Sequence, residues 1–417
     1  MCYAIPGRVS SLSDKTAIVD YFGEKRRAIN ELPELRIGDY IYAQGGYVIK
    51  ILPSGDARDI LETWKELFFN LRETDLRLSR LENIKSNRIL DKALEGRILN
   101  REDLLHLLKS EDPKEIEQLC KTANFLRQKH LKNACCVHGI LEFSSYCQND
   151  CTYCGIRKSN NELPRFRMTE EEILSAVKEA VESHGFKALV LQSGEDPGYP
   201  VERLSDLILE IKQRFAVLLF VSVGEVGRPG LKKLFAAGAR GLLMRFETSH
   251  PKLYEKLHPG DKLEDRLQTL RDAYDIGYLV LTGSLIGLPG QTEEDLINDI
   301  LLTRELKAEM YTFGPVLPHG PRTELVLKVL ALSRLIDPEN AKIVVTTGFE
   351  TLEKNAPRLG LLAGANSLML NVTPLKYRKL YDIYPNRAHS EESLQSQIQG
   401  ALDLLYSLGR APTDLGI

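Results

Sequence analysis

The amino-acid sequence predicts an α/β protein in which a small all-β, OB-like barrel and a group of linking helices precede a (β/α)8 barrel of the TIM type. Three patterns predict this architecture. Residues 1–54 contain short strand-like runs separated by glycine-containing turns, which is typical of a small β-barrel. Apolar residues then recur at helical spacing from Asp56 onward. Beyond Gly139, strand and helix patterns alternate eight times with a period of about 30 residues, as in a (β/α)8 barrel.

The first domain is predicted to span residues 1–80. Its clearest strands are 17–21, 27–31 and 40–42, and a Pro-Ser-Gly turn at 53–55 ends the strand region. A long amphipathic helix completes the domain, because apolar residues recur on one face: Ile60, Trp64, Leu67, Phe68, Leu71, Leu78 and Leu81. Residues 81–138 are predicted to be short helices that lead into the second barrel, with Asn100 and Asp112 as N-terminal capping signals.

The second barrel is predicted to span residues 139–417. Its strands are expected at 140–144, 188–192, 217–223, 241–245, 278–286, 310–314, 343–346 and 367–371. Helices fill the intervals, for example at 169–183 and 292–306, and three glutamates at 170–172 favour the start of the first. A doubly wound open sheet is the alternative, but the G-x-G-x-x-G turn after the first strand of such sheets is absent here.

The composition argues against several classes of protein. The net charge is −3 and there is no block of lysine or arginine, so we expect no binding to nucleic acid or to an anionic membrane. No apolar run is long enough to span a bilayer, and the N-terminus lacks the pattern of a signal peptide. The cysteines number seven, which is odd, and this favours a reducing cytoplasm over a disulfide framework. We therefore expect a cytoplasmic protein.

Three cysteines follow the first predicted strand of the second barrel. They are Cys147, Cys151 and Cys154, in a C-x3-C-x2-C spacing with Tyr153 before the last. Three thiolates bind three irons of a 4Fe-4S cluster and leave the fourth iron open to a small molecule. Structural zinc is the alternative, but a closed zinc site needs a fourth ligand, and no cysteine follows Cys154. The spacing resembles the signature of the radical S-adenosylmethionine (SAM) enzymes, which cleave SAM reductively and require a low-oxygen compartment.

Polar residues follow the other predicted strands, at the barrel end where such folds carry their active sites. They are Gln192, Ser193, Gly194 and Glu195 after the second strand, Ser222 after the third, Arg245 and Glu247 near the end of the fourth, and Thr346 and Thr347 near the end of the seventh. Arg266 is a candidate partner for the SAM carboxylate, because a guanidinium group binds carboxylate through two hydrogen bonds. The alternatives are ordinary turns, a structural salt bridge between Arg245 and Glu247, and a helix-surface position for Arg266.

From about residue 84 to 409 the sequence resembles the HydE family, radical SAM maturases of FeFe-hydrogenase assembly that are related to biotin synthase. The resemblance is carried by residues 87–100, 141–157, 163–173, 189–197, 245–248, 285–292 and 366–385. It implies a radical SAM barrel in which the three cysteines bind a 4Fe-4S cluster. The residues that it places around SAM are Ser193, Gly194, Glu195, Ser222, Glu247 and Arg266, with Met369 close to the adenosyl end. Those that it places at the reacting end of SAM or on the substrate cavity are Arg245, Thr346, Thr347 and Tyr381. Tyr153 of the cysteine motif and Gln192 at the end of the second strand are further candidates for binding the cofactor.

Two features depart from the HydE pattern. Members of the family often carry further cysteines near the C-terminus for an auxiliary cluster, and none is present here. We therefore expect one cluster in the barrel. The segment Gly348-Phe349-Glu350 also differs from the family pattern. Because it follows Thr347 on the predicted substrate wall, this difference concerns the substrate more than SAM.

The N-terminal sequence Met1-Cys2-Tyr3-Ala4-Ile5-Pro6-Gly7-Arg8-Val9 resembles the opening of the HypC family, chaperones of NiFe-hydrogenase assembly. Residues 19–20, 27 and 38–40 fit the same family. The resemblance implies that Cys2 helps to bind a mononuclear iron unit, for which a thiolate is a suitable soft ligand. A small buried hydrophobic residue near a terminus is the alternative interpretation of Cys2. Gln44 stands where the family usually has a histidine, and an amide is a poorer iron ligand than imidazole.

The sequence thus predicts a radical SAM enzyme of metallocofactor maturation, with a small molecule or an iron complex as its substrate. Its expected partners are a reductant such as ferredoxin or flavodoxin and proteins of hydrogenase assembly. One alternative is a radical SAM lyase, mutase or sulfur-transfer enzyme of small-molecule metabolism, and another is an iron-carrying scaffold without turnover. The remaining cysteines, Cys120, Cys135 and Cys136, are interpreted as structural thiols. No role is assigned to His138, His258 or His319.

Overall fold

The N-terminal domain is a closed five-stranded barrel. The computed structural model describes residues 3–81 and 87–416, so Cys2 lies outside the described residues. The strands of this small barrel are β1 (Gly7–Ser13), β2 (Thr16–Tyr21), β3 (Glu24–Ile29), β4 (Tyr40–Gln44) and β5 (Tyr47–Leu52). Their order is β1-β2-β3-β5-β4, and neighbours are antiparallel except β3 and β5. The small β-barrel predicted from the sequence is confirmed.

Alternation of buried and accessible side chains explains why these runs form a barrel. In β2, Ala17, Val19 and Tyr21 are buried while the residues between them are only half-buried. Side chains of a strand point alternately to its two faces, so one face of β2 lines the core of the small barrel. The first helix covers this core, and its Phe68 meets Tyr3 edge-on with 5.0 Å between the ring centroids.

Four helices join the two barrels: α1 (Ser54–Leu78), α2 (Arg88–Leu94), α3 (Arg101–Lys109) and α4 (Pro113–Leu131). Both predicted N-terminal signals act as caps, since Asn100 accepts a hydrogen bond from the Asp103 amide and Asp112 accepts one from the Lys114 amide. A buried carboxylate, Asp75 of α1, accepts hydrogen bonds of 2.7 and 2.8 Å from Arg127 of α4. It also pairs with Arg410 at 3.1 Å, so one charge network ties three parts of the chain together.

The second domain is an eight-stranded parallel barrel. The strands of this part of the chain are β6 (Ala134–Ser144), β7 (Ala188–Ser193), β8 (Leu218–Ser222), β9 (Ala239–Leu243), β10 (Leu279–Thr282), β11 (Leu285–Ile286), β12 (Met310–Tyr311), β13 (Gly314–Pro315), β14 (Lys342–Ile343), β15 (Ser367–Asn371) and β16 (Ala411–Pro412). The barrel order is β14-β12-β10-β9-β8-β7-β6-β15. A parallel bridge between Val344 and Ser367 joins its two ends. The predicted (β/α)8 architecture is confirmed, and the open doubly wound sheet is excluded.

Helices cover the outside of this barrel. They are α5 (Glu170–Lys178), which continues as a π-helical turn (Glu179–Ser183), α6 (Val201–Arg214), α7 (Gly227–Ala237), α8 (Pro251–Leu257), α9 (Leu263–Ile276), α10 (Glu293–Glu305), α11 (Thr323–Ile336), α12 (Thr347–Leu352), α13 (Ala356–Leu362), α14 (Leu375–Arg378) and α15 (Leu394–Ser407). Thr169 and Thr292 form capping boxes at α5 and α10. Among the described helices, none is long and apolar enough to cross a membrane.

Some strand boundaries differ from those predicted. Strand β6 begins at Ala134 rather than at residue 140, because β16 and β15 pair with its early residues. The predicted strand 278–286 is divided into β10 and β11, and the predicted strand 310–314 into β12 and β13. At this division, a Cβ on Gly283 would lie 2.8 Å from the Thr312 backbone. The two segments can therefore approach each other only with glycine at this position.

The small barrel packs against the amino ends of the large-barrel strands. Its Tyr47 belongs to one apolar cluster with Ala188 and Leu218, which begin β7 and β8. Glu31 forms an ion pair of 3.0 Å with Arg240 in β9. The Ala4 amide donates a hydrogen bond of 3.3 Å to the carbonyl oxygen of Pro412 in β16. The small barrel thus closes one end of the large barrel, and the carboxyl ends of the strands lie at the other.

Candidate active site at the carboxyl end of the second barrel

One open cavity of about 310 Å³ lies at the carboxyl end of the barrel strands. It is lined by every predicted site residue of the second barrel, and the described residues bring them to one place: Cys147, Cys151, Tyr153, Cys154, Gln192, Ser193, Gly194, Glu195, Ser222, Arg245, Glu247, Arg266, Thr346, Thr347, Met369 and Tyr381. The remaining predicted ligand, Cys2, lies outside the described residues. The sixteen residues thus line the same cavity, so they can act on one bound ligand. The role of each individual residue stays a prediction.

The cysteine loop, residues 145–160, is held by backbone contacts on several sides. The Thr152 amide donates to Leu257 O at 2.9 Å, and the Gly155 amide donates to Ile383 O at 2.8 Å. The Gln148 amide donates to Glu195 O at 3.0 Å, which ties the loop to the end of β7. The loop is therefore fixed against three neighbouring segments before any metal binds.

Arg165 is a contributor to this loop that sequence reasoning missed. Its guanidinium group donates four hydrogen bonds of 2.6–2.9 Å to the carbonyl oxygens of Ser145, Ile156, Arg157 and Asn160. These carbonyls lie on both sides of the three cysteines. Because its partners are backbone atoms, Arg165 leaves no residue-type pattern that could have identified it.

The three cysteines fit a cluster that carries positive charge. Burial raises the pKa of Cys154 to about 12, with the Cys147 charge adding to it. Burial also raises the pKa of Cys151, and the charges of Cys154 and Cys147 act in the same direction. Three adjacent thiolates are therefore unfavourable by themselves, and metal ions that bind them compensate their charge. The three thiols face the cavity and the loop offers no fourth cysteine, which suits a 4Fe-4S cluster with one iron open.

The wall beside the cluster loop combines close backbone approach with carboxylates and an arginine. A Cβ on Gly194 would lie 2.3 Å from Tyr146 O and 2.7 Å from the Cys147 Cβ, so only glycine fits there. Glu195 accepts a hydrogen bond of 3.2 Å from the Glu225 amide. Arg266, which is buried, donates to the Tyr254 hydroxyl at 3.1 Å and pairs with Glu225 at 3.1 Å. This wall therefore offers groups of both charge signs to a ligand.

Glu247 and Arg245 form an ion pair just after β9, with 3.3 Å between Nε and Oε2. Glu247 has a φ of +65°, a conformation that non-glycine residues rarely adopt. Two hydrogen bonds hold it, from its amide to Gly283 O at 3.2 Å and from the Leu285 amide to its carbonyl at 2.9 Å. Backbone strain of this kind is concentrated at functional sites. The ion pair between Arg245 and Glu247, one of the alternatives left open by the sequence, is therefore present. Both residues also line the cavity.

Tyr153 is oriented by a histidine that the sequence did not single out. Its hydroxyl lies 3.0 Å from Nε2 of His258, a buried residue. Burial lowers the pKa of His258, so its ring is neutral near pH 7. The aromatic residue of the cysteine motif is therefore fixed by α8, which also borders the loop.

The far wall is formed by the segments after β13, β14 and β15. A Cβ on Gly314 would lie 2.9 Å from the Thr346 Oγ1 and 3.2 Å from a guanidinium nitrogen of Arg245, so these two side chains converge there. Tyr381 is buried, and this burial raises the pKa of its hydroxyl well above the usual range. Gln192, at the end of β7, lowers the pKa of this hydroxyl, which offsets only part of the effect of burial.

A buried ion pair between Glu142 and Arg387, which the sequence did not reveal, lies next to Tyr381. Glu142 of β6 is fully buried and accepts hydrogen bonds of 2.9 Å from Arg387 and from Asn371. Arg387 also donates to the Tyr381 carbonyl at 3.3 Å and lines the cavity. This buried pair fixes the segment after β15, and no motif marks it because its members are far apart in sequence.

Comparison with known proteins agrees with this site. The model of the radical SAM superfamily matches residues 141–302, and that of the HupF/HypC family matches residues 1–64. The "[FeFe] hydrogenase maturase subunit HydE" of Thermotoga maritima is 39% identical over 334 residues, which cover 78% of this chain and 94% of that protein. The chain belongs to the HydE family of radical SAM proteins. Membership of the radical SAM family implies a 4Fe-4S cluster and SAM as cofactors.

Further relatives support the same fold. A 3-methylornithine synthase of Methanosarcina acetivorans is 31% identical, with 78% of this chain and 94% of that protein covered. The crystal structure of the methylornithine synthase PylB superposes with a TM-score of 0.67 at 27% identity, covering 78% of this chain and 97% of that one. A crystal structure of HydG, a maturase of the FeFe-hydrogenase, has a TM-score of 0.66 at 21% identity, covering 84% and 79% of the two chains. At that identity the likeness concerns the fold.

Proposed function

We propose that this HydE-family enzyme acts in the maturation of a hydrogenase or a related metalloenzyme, using SAM to activate a small molecule or an iron complex. The observation that carries the proposal is the position of the three cysteines, on one fixed loop that faces a cavity lined by the predicted SAM residues. When bound, a reduced 4Fe-4S cluster supplies the electron that cleaves SAM to methionine and a 5′-deoxyadenosyl radical. The electron would come from a reductant such as ferredoxin or flavodoxin.

In this proposal the residues beside the cluster loop bind and orient SAM. Arg266 binds the SAM carboxylate, because its charge lies on the cavity wall and its guanidinium plane is held by Tyr254 and Glu225. Glu195 and the backbone around Gly194 receive the amino group. Because these residues are already held in place, SAM binding costs little conformational entropy of the protein.

The substrate would bind between the adenosyl end of SAM and the far wall. Arg245 and the hydroxyls of Thr346 and Thr347 suit an anionic or thiol-bearing molecule. Tyr381, protonated and fixed by Arg387, closes the side of the cavity toward β15. These side chains shield part of the cavity from water, which would protect a reactive radical from side reactions.

The small barrel would serve as the module for an iron unit or for a partner protein of hydrogenase assembly, and Cys2 is the proposed ligand. Position 44 adjoins the N-terminal segment, since Gln44 is buried and its amide donates to Tyr3 O at 3.5 Å. This is consistent with a ligand pair at positions 2 and 44 in which glutamine replaces histidine. The small barrel lies at the amino ends of the strands, so exchange of an iron unit would not take place at the mouth of the cavity.

The enzymatic proposal is tested by anaerobic reconstitution with iron and sulfide, reduction with dithionite, and measurement of 5′-deoxyadenosine from SAM. We expect the nucleoside to form with wild-type protein and to be absent with the Cys147/Cys151/Cys154→Ala variant. Cys120→Ala is the matched control, because Cys120 lies in α4 away from the cavity. Full turnover in the triple variant would refute the proposal.

The iron-unit proposal is tested separately by infrared spectroscopy of the purified protein. We expect CO or cyanide bands that disappear in Cys2→Ala and become stronger in Gln44→His, because imidazole is the better iron ligand. Bands that persist unchanged in Cys2→Ala would exclude this role of the small barrel while leaving SAM cleavage unaffected.

The two alternatives are less well supported. A lyase, mutase or sulfur-transfer enzyme of small-molecule metabolism would not need the HupF/HypC domain, and the identity to the 3-methylornithine synthase, 31%, is lower than the 39% to HydE. A scaffold without turnover would not need the three cysteines and the assembled cavity wall.

A further inference from the structure

A second group of metal-ligand side chains lies inside the large barrel, at the end closed by the small barrel. Cys136 and His138 occupy β6, two positions apart, and so point to the same face of the strand. Asp414 follows β16 at the C-terminal end of the chain. Each of the three is at most 3% exposed, and their ligand atoms all lie within 4.8 Å of one another.

The C-terminal segment is fixed so that Asp414 meets the other two residues. Ala411 and Pro412 pair in parallel with the start of β6, and the Thr413 amide continues this pairing with a hydrogen bond of 2.9 Å to Cys135 O. On the other side, the Lys187 amide donates to Asp414 O at 2.7 Å. Asp414 is therefore held between β6 and β7, with its carboxylate 3.2 Å from Nε2 of His138.

The three donors form a mixed set. A thiolate, an imidazole and a carboxylate are the ligands that zinc and neighbouring divalent transition ions use, and three protein ligands leave a fourth position for water. A thiolate and a carboxylate together also balance the charge of a divalent cation. A tetrahedral site with bonds of about 2.0–2.3 Å places its ligand atoms roughly 3.3–3.8 Å apart. The ligand atoms, which lie within 4.8 Å of one another, would therefore move closer together as an ion binds.

Two lysines, Lys187 and Lys342, lie near Asp414. The Lys187 ammonium group lies 4.5 Å from the ring centre of Tyr42 and donates to Gly185 O at 3.3 Å. Lys342 forms an ion pair with Glu309. Both lysines also act on the charge of Asp414, so a bound metal ion would share this carboxylate with them.

The group is separate from the SAM cavity. Cys136 packs in an apolar cluster with Ala188, Val190, Leu218 and Phe220, which belong to the inner faces of β7 and β8. Tyr47 of the small barrel belongs to the same cluster and covers this end. The His138 ring lies against Phe220, with 5.1 Å between ring centroids. An ion bound here would thus be enclosed where the two barrels and the C-terminal segment meet.

We propose that Cys136, His138 and Asp414 bind one divalent transition-metal ion, with zinc as the representative, at the end of the large barrel that the small barrel closes. The ion joins β6 to the C-terminal segment and so strengthens the contact between the two barrels. It does not take part in SAM cleavage. A buried ion pair between His138 and Asp414 is the competing interpretation, and it requires neither the thiol nor a metal.

The test uses the full-length protein with its 4Fe-4S cluster reconstituted, incubated anaerobically with Zn²⁺ and then freed of unbound metal. We expect one zinc per chain and a zinc-edge X-ray absorption spectrum with one sulfur at about 2.3 Å and nitrogen or oxygen ligands at about 2.0 Å. Because the cluster contains iron, it does not contribute to the zinc-edge spectrum. Zinc should also raise the melting temperature, since it binds the folded state preferentially.

Variants assign the ligands. Cys136→Ser and Asp414→Asn should lose stoichiometric zinc, with affinity reduced tenfold or more, while SAM cleavage continues. Cys135→Ser is the matched control, because its side chain packs among the outward-facing residues of the same strand. If Cys136→Ser fails to fold, the X-ray absorption spectrum of the wild type still shows whether a sulfur atom binds the zinc. No bound zinc, a zinc shell without sulfur, or zinc that is lost in Cys2→Ser but retained in Cys136→Ser would each overturn the proposal.

Discussion

Among single residues, Arg266 connects the fold to the proposed SAM site. The residue is only 7% exposed and its guanidinium group is held by Tyr254 and Glu225, yet it lines the cavity. A lysine would keep the charge but lose the planar arrangement of donors that binds a carboxylate through two hydrogen bonds. In the proposed role, the position requires an arginine and not merely a cation.

We expect Arg266→Lys to weaken SAM binding by about tenfold or more, corresponding to the loss of a charge-assisted hydrogen bond of roughly 1.5–3 kcal/mol. Equilibrium binding of SAM to the reconstituted protein measures this effect. Arg271→Lys on the same helix is the control, because Arg271 pairs with Glu264 on the surface. Equal affinity of Arg266→Lys and wild type would remove Arg266 from the SAM site.

Substitution of Gly194 tests whether the cluster depends on the close contact between the end of β7 and the cysteine loop. In Gly194→Ala the new methyl group would lie within 2.3 Å of Tyr146 O, so the loop must move and cluster retention should fall. Iron content per chain after reconstitution measures this loss. Gly400→Ala is the control, because that glycine lies in α15 with nothing within 4 Å of the new Cβ. There the substitution should leave iron content unchanged and stabilise the helix slightly.

Sequence reasoning at the residue scale found those residues whose chemistry leaves a local pattern. The cysteine spacing and the polar residues near the strand ends predicted one site, and the fold gathers them around one cavity. It missed Arg165, whose partners are carbonyl oxygens, and Arg387, whose partner Glu142 is distant in the chain. It could not show that Cys136, His138 and Asp414 lie together, because their meeting depends on the pairing of β6 with β16.

At the scale of elements, the cysteine loop depends on one side chain that spans it. Arg165→Ala removes four hydrogen bonds to carbonyl oxygens on both sides of the cysteines. We expect the loop to become mobile, so that iron content falls and the electron paramagnetic resonance signal of the reduced cluster broadens. Arg214→Ala, which removes a surface pair with Glu210 in α6, should change neither quantity. An unaltered signal in Arg165→Ala would mean that the cysteines alone define the loop.

A histidine ties the segment between α14 and α15 to α12. His389 lies 2.6 Å from a carboxylate oxygen of Glu350 and 2.6 Å from one of Glu392. The hydrogen bond with Glu350 is the largest influence, and it raises the pKa of His389 to about 9. Because this value lies above the 6.5 of an unfolded histidine, the contribution to stability is complete below about pH 6.5 and is lost as the pH rises through 9.

We therefore expect the melting temperature of the wild type to fall between pH 6.5 and 9.5 more steeply than that of His389→Gln. After allowance for solvent screening of these partly exposed side chains, the difference should correspond to about 1–2 kcal/mol. His319→Gln, at an exposed position, should retain the wild-type slope. Parallel curves for wild type and His389→Gln would contradict the assignment.

The elements that could be predicted are those with a regular local pattern. Strand β15 and helix α10 match their predicted ranges within a residue, since apolar periodicity and a capping threonine define them locally. The early part of β6 could not be predicted, because its partners β15 and β16 come from the far end of the sequence. The divisions between β10 and β11 and between β12 and β13 depend on a close backbone contact at Gly283 that only the folded chain displays.

In the whole molecule, the small barrel lies at one end of the large barrel and the cavity lies at the other. The cavity opens at the carboxyl ends of the large-barrel strands, while the small barrel contacts their amino ends through Tyr47, Glu31 and Ala4. SAM chemistry and the proposed handling of an iron unit are therefore separated by the apolar interior of the large barrel. A partner protein could engage the small barrel without covering the mouth of the cavity.

The contact between the barrels can be tested at the turn between β4 and β5, where two neighbouring glycines differ in one respect. Gly45 and Gly46 both have a positive φ, of +53° and +81°, so alanine at either position carries backbone strain of about 1 kcal/mol. A Cβ on Gly45 would also lie 2.5 Å from a methyl group of Leu218 and 3.2 Å from one of Leu279, whereas none lies within 4 Å at Gly46. The difference between the two variants therefore isolates the steric effect at the interface.

We expect Gly45→Ala to lower the melting temperature more than Gly46→Ala does and to increase proteolytic cleavage between the barrels, as followed by limited proteolysis and mass spectrometry. SAM cleavage should be nearly unchanged in both variants, because the cavity lies at the opposite end of the large barrel. A matching loss of SAM cleavage in Gly45→Ala would mean that the contact at the amino ends of the strands governs the geometry of the cavity. Identical behaviour of the two variants would mean that the barrels do not pack at this turn in solution.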